Sequence, residues 1–359
     1  MLNKSNYLDF IGEDIYIGID VHKKNWKITI QTDELVCRTF TQDPEVRLLS
    51  NYLKRNYPNA SYYCAYEAGF SGFWIQQQLE KENINCIVVN PADVPTTDKE
   101  KKQKTDNRDS RKIARSLRNG ELIGIYVPDK ISLEERHLVR SRTMLVKDQT
   151  RNKNRIKSLL HFYGINYPED LKECNKHWSK RFYNWLQEVE FTTEYGKSNM
   201  QSLVNYSLQI REMILSKTRE IRSLSKTDKY SNSVRLLCSV SGIGLISAMI
   251  FATEIQDIRR FKNLDYQCAY IGLIPNMHSS GEKENIGKIT NRGNKHLKNA
   301  LIECAWMAIK YDPALLLTFK KLCKTMDSNK AIIRIARKLL SRIRYVLLNN
   351  KTYVTGIVK

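Results

Sequence analysis

Two acids, Asp106 and Asp109, stand three residues apart in the stretch Lys104-Thr105-Asp106-Asn107-Arg108-Asp109-Ser110-Arg111-Lys112-Ile113-Ala114. In a helix that spacing puts both carboxylates on one face, a turn apart, where they can reach one metal ion. Thr105 as a cap, the apolar run Ile113, Ala114 and Leu117, and Gly120 as a stop predict that helix. Two carboxylates on a basic helix are more often solvated ion-pair partners than ligands. Two acids upstream change the balance: Asp20 closes the apolar run Ile15 to Ile19, and Glu67 closes Tyr62 to Tyr66. Both stand at predicted strand ends, where side chains enter the cleft of an open α/β sheet. Four carboxylates gathered there repel one another, and each is costly to desolvate alone. A hard divalent cation resolves the conflict, Mg²⁺ or alternatively Mn²⁺. A pair of such ions roughly 4 Å apart activates a nucleophile and steadies a leaving oxygen on a phosphodiester.

A second candidate for chemistry lies far downstream. Tyr270-Ile271-Gly272-Leu273-Ile274-Pro275-Asn276-Met277-His278-Ser279-Ser280-Gly281-Glu282 is followed by Gly287-Lys288-Ile289-Thr290-Asn291-Arg292-Gly293-Asn294-Lys295. This reads as a loop rich in glycine and small polar residues, leading into a helix from Lys295 to Lys310. Most Ser-Gly pairs are only turns. Lys288, Arg292, Lys295 and Lys298 would nevertheless surround a phosphate if the loop folds back. A serine in such a cradle is a candidate nucleophile, since cations stabilise charge on a transferring phosphoryl group.

The elements that must position these groups follow from periodicity. Strands are predicted at Ile15 to Ile19, Trp26 to Ile30, Cys37 to Phe40, Tyr62 to Tyr66 and Cys86 to Asn90, with a short sixth at Ile123 to Val127. Helices fit Pro44 to Arg55 and Phe73 to Lys81. A three-strand meander followed by βα units suggests a mixed sheet with helices packed on it. From Ser132 to Gly164 a helical segment carries Arg136, Arg140, Arg142, Lys147, Arg151, Lys153, Arg155 and Lys157. It suits an arm lying along nucleic acid, against the plainer reading of a solvated face. Leu138, Leu145 and Leu159 recur at multiples of seven, interrupted by Asn152; Ser198 to Lys226 forms a second long helix with Leu203, Ile210 and Leu224 in one heptad position. Whether the two pair within a chain or between chains stays open. Residues 165–198 are aromatic-rich and suit a small helical cap. Leu236 to Ala248 reads as helix, tight Gly242-Ile243-Gly244 turn, helix. That is the pattern of a helix-hairpin-helix, whose turn directs backbone N–H groups at a phosphate, although close helix packing explains it nearly as well. The boundaries drawn are 1–130, 131–230 and 231–359.

The totals agree with a polyanion partner: 59 Lys plus Arg against 38 Asp plus Glu leave a formal charge of +21 over 359 residues. Eight scattered cysteines show no C-x-x-C pair, which argues against a structural zinc site and for reduced thiols in the cytoplasm. No apolar stretch is long enough to span a membrane, and no signal-peptide core is seen at the start.

Gly18-Ile19-Asp20-Val21-His22-Lys23, Tyr66-Glu67-Ala68-Gly69 and Lys104 through Asp109 resemble the N-terminal part of the DEDD transposases of bacterial insertion sequences. Ser241-Gly242-Ile243-Gly244, Gly272-Leu273-Ile274-Pro275, His278-Ser279-Ser280-Gly281 and Thr290-Asn291-Arg292-Gly293-Asn294 resemble their C-terminal domain. The combination, in this order over nearly the whole chain, is specific where single motifs are not. The resemblance implies an α/β RuvC-like (RNase H-type) domain, a helical coiled-coil middle and a mostly α-helical C-terminal domain with a catalytic serine. It implies a recombinase guided by a bridge RNA, assembling as a dimer to tetramer on double-stranded DNA, in the bacterial cytoplasm at the nucleoid. Asp20, Glu67, Asp106 and Asp109 would bind Mg²⁺, in a site completed by the serine of another subunit. Ser280, with Ser279 in reserve, would form a phosphoserine link to DNA. Arg140, Lys147, Arg151, Arg155, Gly242, Gly244, Lys288, Arg292 and Lys295 would contact nucleic acid. Ser110 departs from the small apolar residue common after the last acid, and Asn276 and Asn291 from positions often basic. A hydrolytic RuvC-like nuclease or junction resolvase is the main rival; it would use the acids and leave the serine idle. An actin-like ATPase ranks last, because Val21-His22-Lys23-Lys24 replaces the Gly-Thr phosphate loop such proteins need after the first Asp.

Overall fold

In the computed structural model, residues 9–95, 106–173, 176–280 and 283–355 are described. The chain divides into two compact units, Met1–Asp129 and Lys130–Lys359.

The first unit is built on five strands: β1 (Asp14–Val21), β2 (Trp26–Gln31), β3 (Val36–Gln42), β4 (Ser61–Glu67) and β5 (Asn85–Val89). Their order is β3-β2-β1-β4-β5. The meander pairs antiparallel, while β1/β4 and β4/β5 run parallel. This mixed sheet is consistent with the expected RuvC-like arrangement. Period-2 alternation sorts its two faces. Ile15, Ile17 and Ile19 of β1 and Ile28 and Ile30 of β2 pack with Leu49 and Leu53 of α1 (Val46–Asn56) and Ile75 and Leu79 of α2 (Trp74–Lys81). On the other face lies α3 (Asp106–Arg118). Thr105, the expected cap, falls outside the described residues. The expected strand at Ile123 to Val127 is absent: that segment makes one isolated bridge, Val89 to Gly124, with the Ile125 amide donating to Val88 O at 2.7 Å. Ile125 and Val127 still pack on the core, but Gly124 and Pro128 are poor strand formers and the ladder does not extend past the one bridge.

The second unit begins with the 33-residue helix α4 (Lys130–Phe162). It runs antiparallel to α6 (Glu194–Leu224), so the two long helices pair within one chain. Arg142 Nε donates to Thr218 Oγ1 at 2.8 Å near one end. Asn152 is fully buried further along, and its Nδ2 donates to Leu203 O at 2.8 Å. Between the two helices in sequence, α5 (Lys180–Glu188) closes a cluster of Phe182, Tyr183 and Leu186 against Ile156, Leu160 and Val204. Then come α7 (Ser231–Cys238), α8 (Leu245–Ile255), α9 (Leu264–Ile271), the hairpin β6 (Pro275–Ser280) and β7 (Lys283–Ile289), α10 (Lys295–Tyr311), α11 (Pro313–Cys323) and α12 (Ser328–Asn349). Their core also takes in Val139 of α4 and Ile221 of α6. The stretch expected as a loop is thus a two-stranded ribbon, with Ser279 paired to Glu284 and Ser280 to Lys283. Among the described residues no helix is long and apolar enough to cross a membrane.

Candidate active site and nucleic-acid surface

Asp20 and Glu67 end adjacent parallel strands, one step beyond the pair Ile19 and Tyr66. They share the sheet face of Gly18 and Ala65, which are themselves paired. That small-residue patch decides where α3 lies. A Cβ on Gly18 would stand 2.5 Å from the Ala114 amide nitrogen and closer still to the Ser110 carbonyl oxygen, both backbone atoms of α3. The helix therefore rests on the strand itself, and Asp109 comes down beside the two strand-end acids. Ser110, fully buried, is fastened by a 2.9 Å hydrogen bond to Thr29 on β2. Thr29 in turn meets Thr39 at 3.0 Å. The departure from a small apolar residue at 110 is thus a polar anchor of α3.

The acids are partly buried, with side-chain exposures of 21% for Asp20, 33% for Glu67 and 21% for Asp109. Burial pushes the Glu67 carboxyl above its ordinary range; Lys112 counters this, and the charges of Asp109 and Asp20 reinforce it. His22 Nε2 lies 3.1 Å from Asp20 Oδ2. The Lys112 ammonium, only 9% exposed, lies 3.6 Å from Glu67 and 3.5 Å from Asp109. Sequence reasoning passed over this lysine, although its i+3 spacing from Asp109 put it on the acid face. Asp106 is the first residue of α3, and its side chain lies outside the described residues. Among the described residues no three His, Cys, Asp or Glu side chains close into a finished metal shell. The donor set nonetheless suits a hard cation: oxygen ligands only, mutually repelling, with a cationic group already drawn between two of them.

In the second unit the base of the hairpin is held at several points. Thr290 N donates to Ile274 O and Asn294 N to Tyr270 O, each at 2.9 Å. Gly272 and Gly293 touch backbone to backbone; a Cβ on Gly293 would stand 2.6 Å from Gly272 N. Asn294 caps α10 through the amides of His296 and Leu297, and its Nδ2 donates to Glu254 Oε2 at 2.8 Å. Glu254 is 2% exposed and receives two bonds from Arg140, Nε at 2.6 Å and Nη2 at 2.8 Å. Burial alone would raise the Glu254 carboxyl; the bonds from Arg140 and Asn294 outweigh it and hold the group below the ordinary carboxylate range. Arg140, expected to face nucleic acid, is therefore spent on an internal bidentate pair. Composition counts charges and cannot reveal a partner 114 residues away.

Other expected contacts divide similarly. Lys147, Arg151 and Arg155 are exposed at four-residue intervals along one face of α4, Arg151 meeting Asp148 at 3.3 Å. Arg292 and Lys295 are exposed beside the hairpin base, whereas Lys298 donates to Thr290 O at 2.6 Å. Gly242 has φ +87°, and a Cβ there would stand 2.6 Å from both Cys304 O and Ala308 N of α10. Helix packing accounts for it. Gly244 caps α8 with open space around it. The side chains of Ser279, Ser280 and Lys288 lie outside the described residues.

The first unit thus presents carboxylates at its parallel strand ends, and the second is a basic helical unit. Residues 17–165 match the profile of the DEDD transposases of the IS110 group, and residues 234–320 that of the transposase IS116/IS110/IS902 family. The chain is 31% identical to the transposase-designated protein y4qE of Sinorhizobium fredii, over 83% of this chain and 71% of that one. It is 27% identical to the transposase for insertion sequence element IS1533 of Leptospira borgpetersenii, over 69% and 72% of the two chains. Identity to the transposase for insertion sequence element IS1111A of Coxiella burnetii is 26%, over 71% and 70%. The chain belongs to the IS110 family of insertion-sequence transposases.

Proposed function

We propose that this transposase cuts and rejoins DNA through Ser280, assisted by Mg²⁺ held on Asp20, Glu67, Asp106 and Asp109. The observation that carries the reading is the convergence of Asp20, Glu67 and Asp109 at the C-terminal ends of the central strands β1 and β4, with Lys112 between two of them. When bound, Mg²⁺ would supply charge neutralisation at the phosphodiester oxygens. The chain's own residues do the rest. Ser280 Oγ gives up its proton and forms a bond to phosphorus as the P–O bond to one sugar oxygen breaks; that oxygen takes up a proton. Reversal with a different sugar hydroxyl releases the serine and rejoins the strand, so no high-energy cofactor is consumed. Arg292 and Lys295, exposed at the hairpin base, are suited to hold the phosphate, and the stripe Lys147, Arg151 and Arg155 to track a duplex or a guide RNA. Assembly as a dimer to tetramer would let the acids of one copy serve the serine of another.

The test is a gel assay for covalent protein–DNA adducts on an element junction with its flanking RNA and Mg²⁺. Adduct lost in Ser280→Ala, Asp109→Ala and Asp106→Ala is expected. Loss only in Ser279→Ala moves the nucleophile by one residue. Strand cleavage with no adduct, unchanged by either serine substitution, overturns the reading in favour of a hydrolytic nuclease.

A further inference from the structure

Lysine is among the residue types least often found buried, and it is buried only when paired. Lys112 is 8% exposed as a residue, and its ammonium sits between two acids of the catalytic cluster. Both separations, 3.5 and 3.6 Å, exceed the 2.7–2.9 Å of a charge-assisted hydrogen bond. The ammonium is therefore shared rather than bonded tightly to either carboxylate. Its partners come from different elements, Glu67 from the end of β4 and Asp109 from α3. A helical side chain leans back over the preceding turn, which carries Lys112 over Asp109 and towards the sheet. The bare Gly18 lets α3 sit directly on β1, and the hydrogen bond of Ser110 to Thr29 fastens it there, so the acids do not relieve their repulsion by moving apart.

We propose that Lys112 is a built-in counter-ion of the acid site, which occupies the position between Glu67 and Asp109 and competes with the divalent cation for it. The inference rests on the reading of these acids as metal ligands. The lysine holds the carboxylates together in the metal-free protein. When a divalent ion enters, the ammonium is displaced, and its flexible four-carbon stem leaves it within reach of a DNA phosphate. Metal affinity is thereby lowered in the absence of DNA, and metal and DNA binding favour each other, because the phosphate accepts the displaced charge.

The experiment measures Mn²⁺ binding to the full-length protein by electron paramagnetic resonance, with thermal unfolding in chelator and in Mn²⁺. Wild type is compared with Lys112→Met, Lys112→Gln, Lys112→Arg and Asp109→Asn. Removing a unit charge beside the incoming cation is expected to tighten Mn²⁺ binding at least about 10-fold in Lys112→Met. The same variant should unfold at lower temperature in chelator and regain most of the loss in Mn²⁺, while Lys112→Arg stays near wild type. If Lys112→Met does not fold, Lys112→Gln decides by the same criteria. Unchanged or weaker Mn²⁺ binding in the neutral variants, with wild type binding and Asp109→Asn not, overturns the counter-ion role and leaves the metal site standing. Absence of Mn²⁺ binding in wild type and in every Lys112 variant overturns both.

Discussion

Substituting Gly18 by alanine perturbs the contact on which the acid site depends. The new methyl would stand 2.5 Å from the Ala114 amide nitrogen, where ordinary contact begins near 3.4 Å. The obstructing atoms are backbone, so no rotamer change relieves them. Either α3 rises by about 1 Å or β1 sinks by as much into the close-packed isoleucine face beneath it. Overpacking of this kind costs about 1–3 kcal/mol. The rise would also lift Asp109 and Lys112 away from Asp20 and Glu67, and a misplacement of about 1 Å in a reacting geometry costs roughly 100-fold in rate. Urea unfolding should show a lower midpoint with an unchanged slope, and cleavage of an element-junction DNA should fall by about two orders of magnitude. Stability within about 0.5 kcal/mol of wild type, together with full cleavage, would refute the claim that α3 rests on the backbone of β1.

Three further outcomes are expected. Glu254→Ala leaves the Arg140 guanidinium half-buried without its carboxylate and should cost about 3–5 kcal/mol in denaturant unfolding; a loss under about 1 kcal/mol would contradict the bidentate pair. The depressed Glu254 carboxyl stabilises the fold above its unfolded value near 4.5, and that contribution disappears as pH falls through the lower folded value. Glu254→Gln should accordingly flatten the acid side of a stability–pH curve. Replacing Lys147, Arg151 and Arg155 together by glutamine should reduce the slope of log affinity against log salt by about 0.9 per lost phosphate contact; an unaltered slope would take this face off the nucleic-acid path.

What could be read from the residues and what could not divide along a physical line. The five strands of the first unit were legible because their alternation is dictated by one apolar face, and Asp20 and Glu67 because an acid closing an apolar run marks a strand end. The hairpin at Pro275–Ile289 was not, since Asn276, Ser279, Ser280, Asn285 and Gly287 dilute the alternation. Partnerships between distant residues were invisible too. Nothing local marks Arg140 as the mate of Glu254, and the i+3 spacing that sets Lys112 beside Asp109 does not reveal its second partner, Glu67. Gly242 carried two readings of nearly equal weight, and only the position of α10 against it separates them.

The buried Asn152 bears on how the chain finds its fold. Helices α4 and α6 meet across the intervening α5, so their pairing is non-local and slow to search. Apolar residues spaced by sevens make a slide of one heptad nearly isoenergetic for the leucines and isoleucines alone. Such a slide would bury the Asn152 amide opposite another turn, where its bond to Leu203 O is broken. The asparagine thereby joins the Arg142–Thr218 bond in selecting one alignment, giving up some final stability for a less ambiguous route. Asn152→Leu should make the protein harder to unfold yet cause it to refold in several phases.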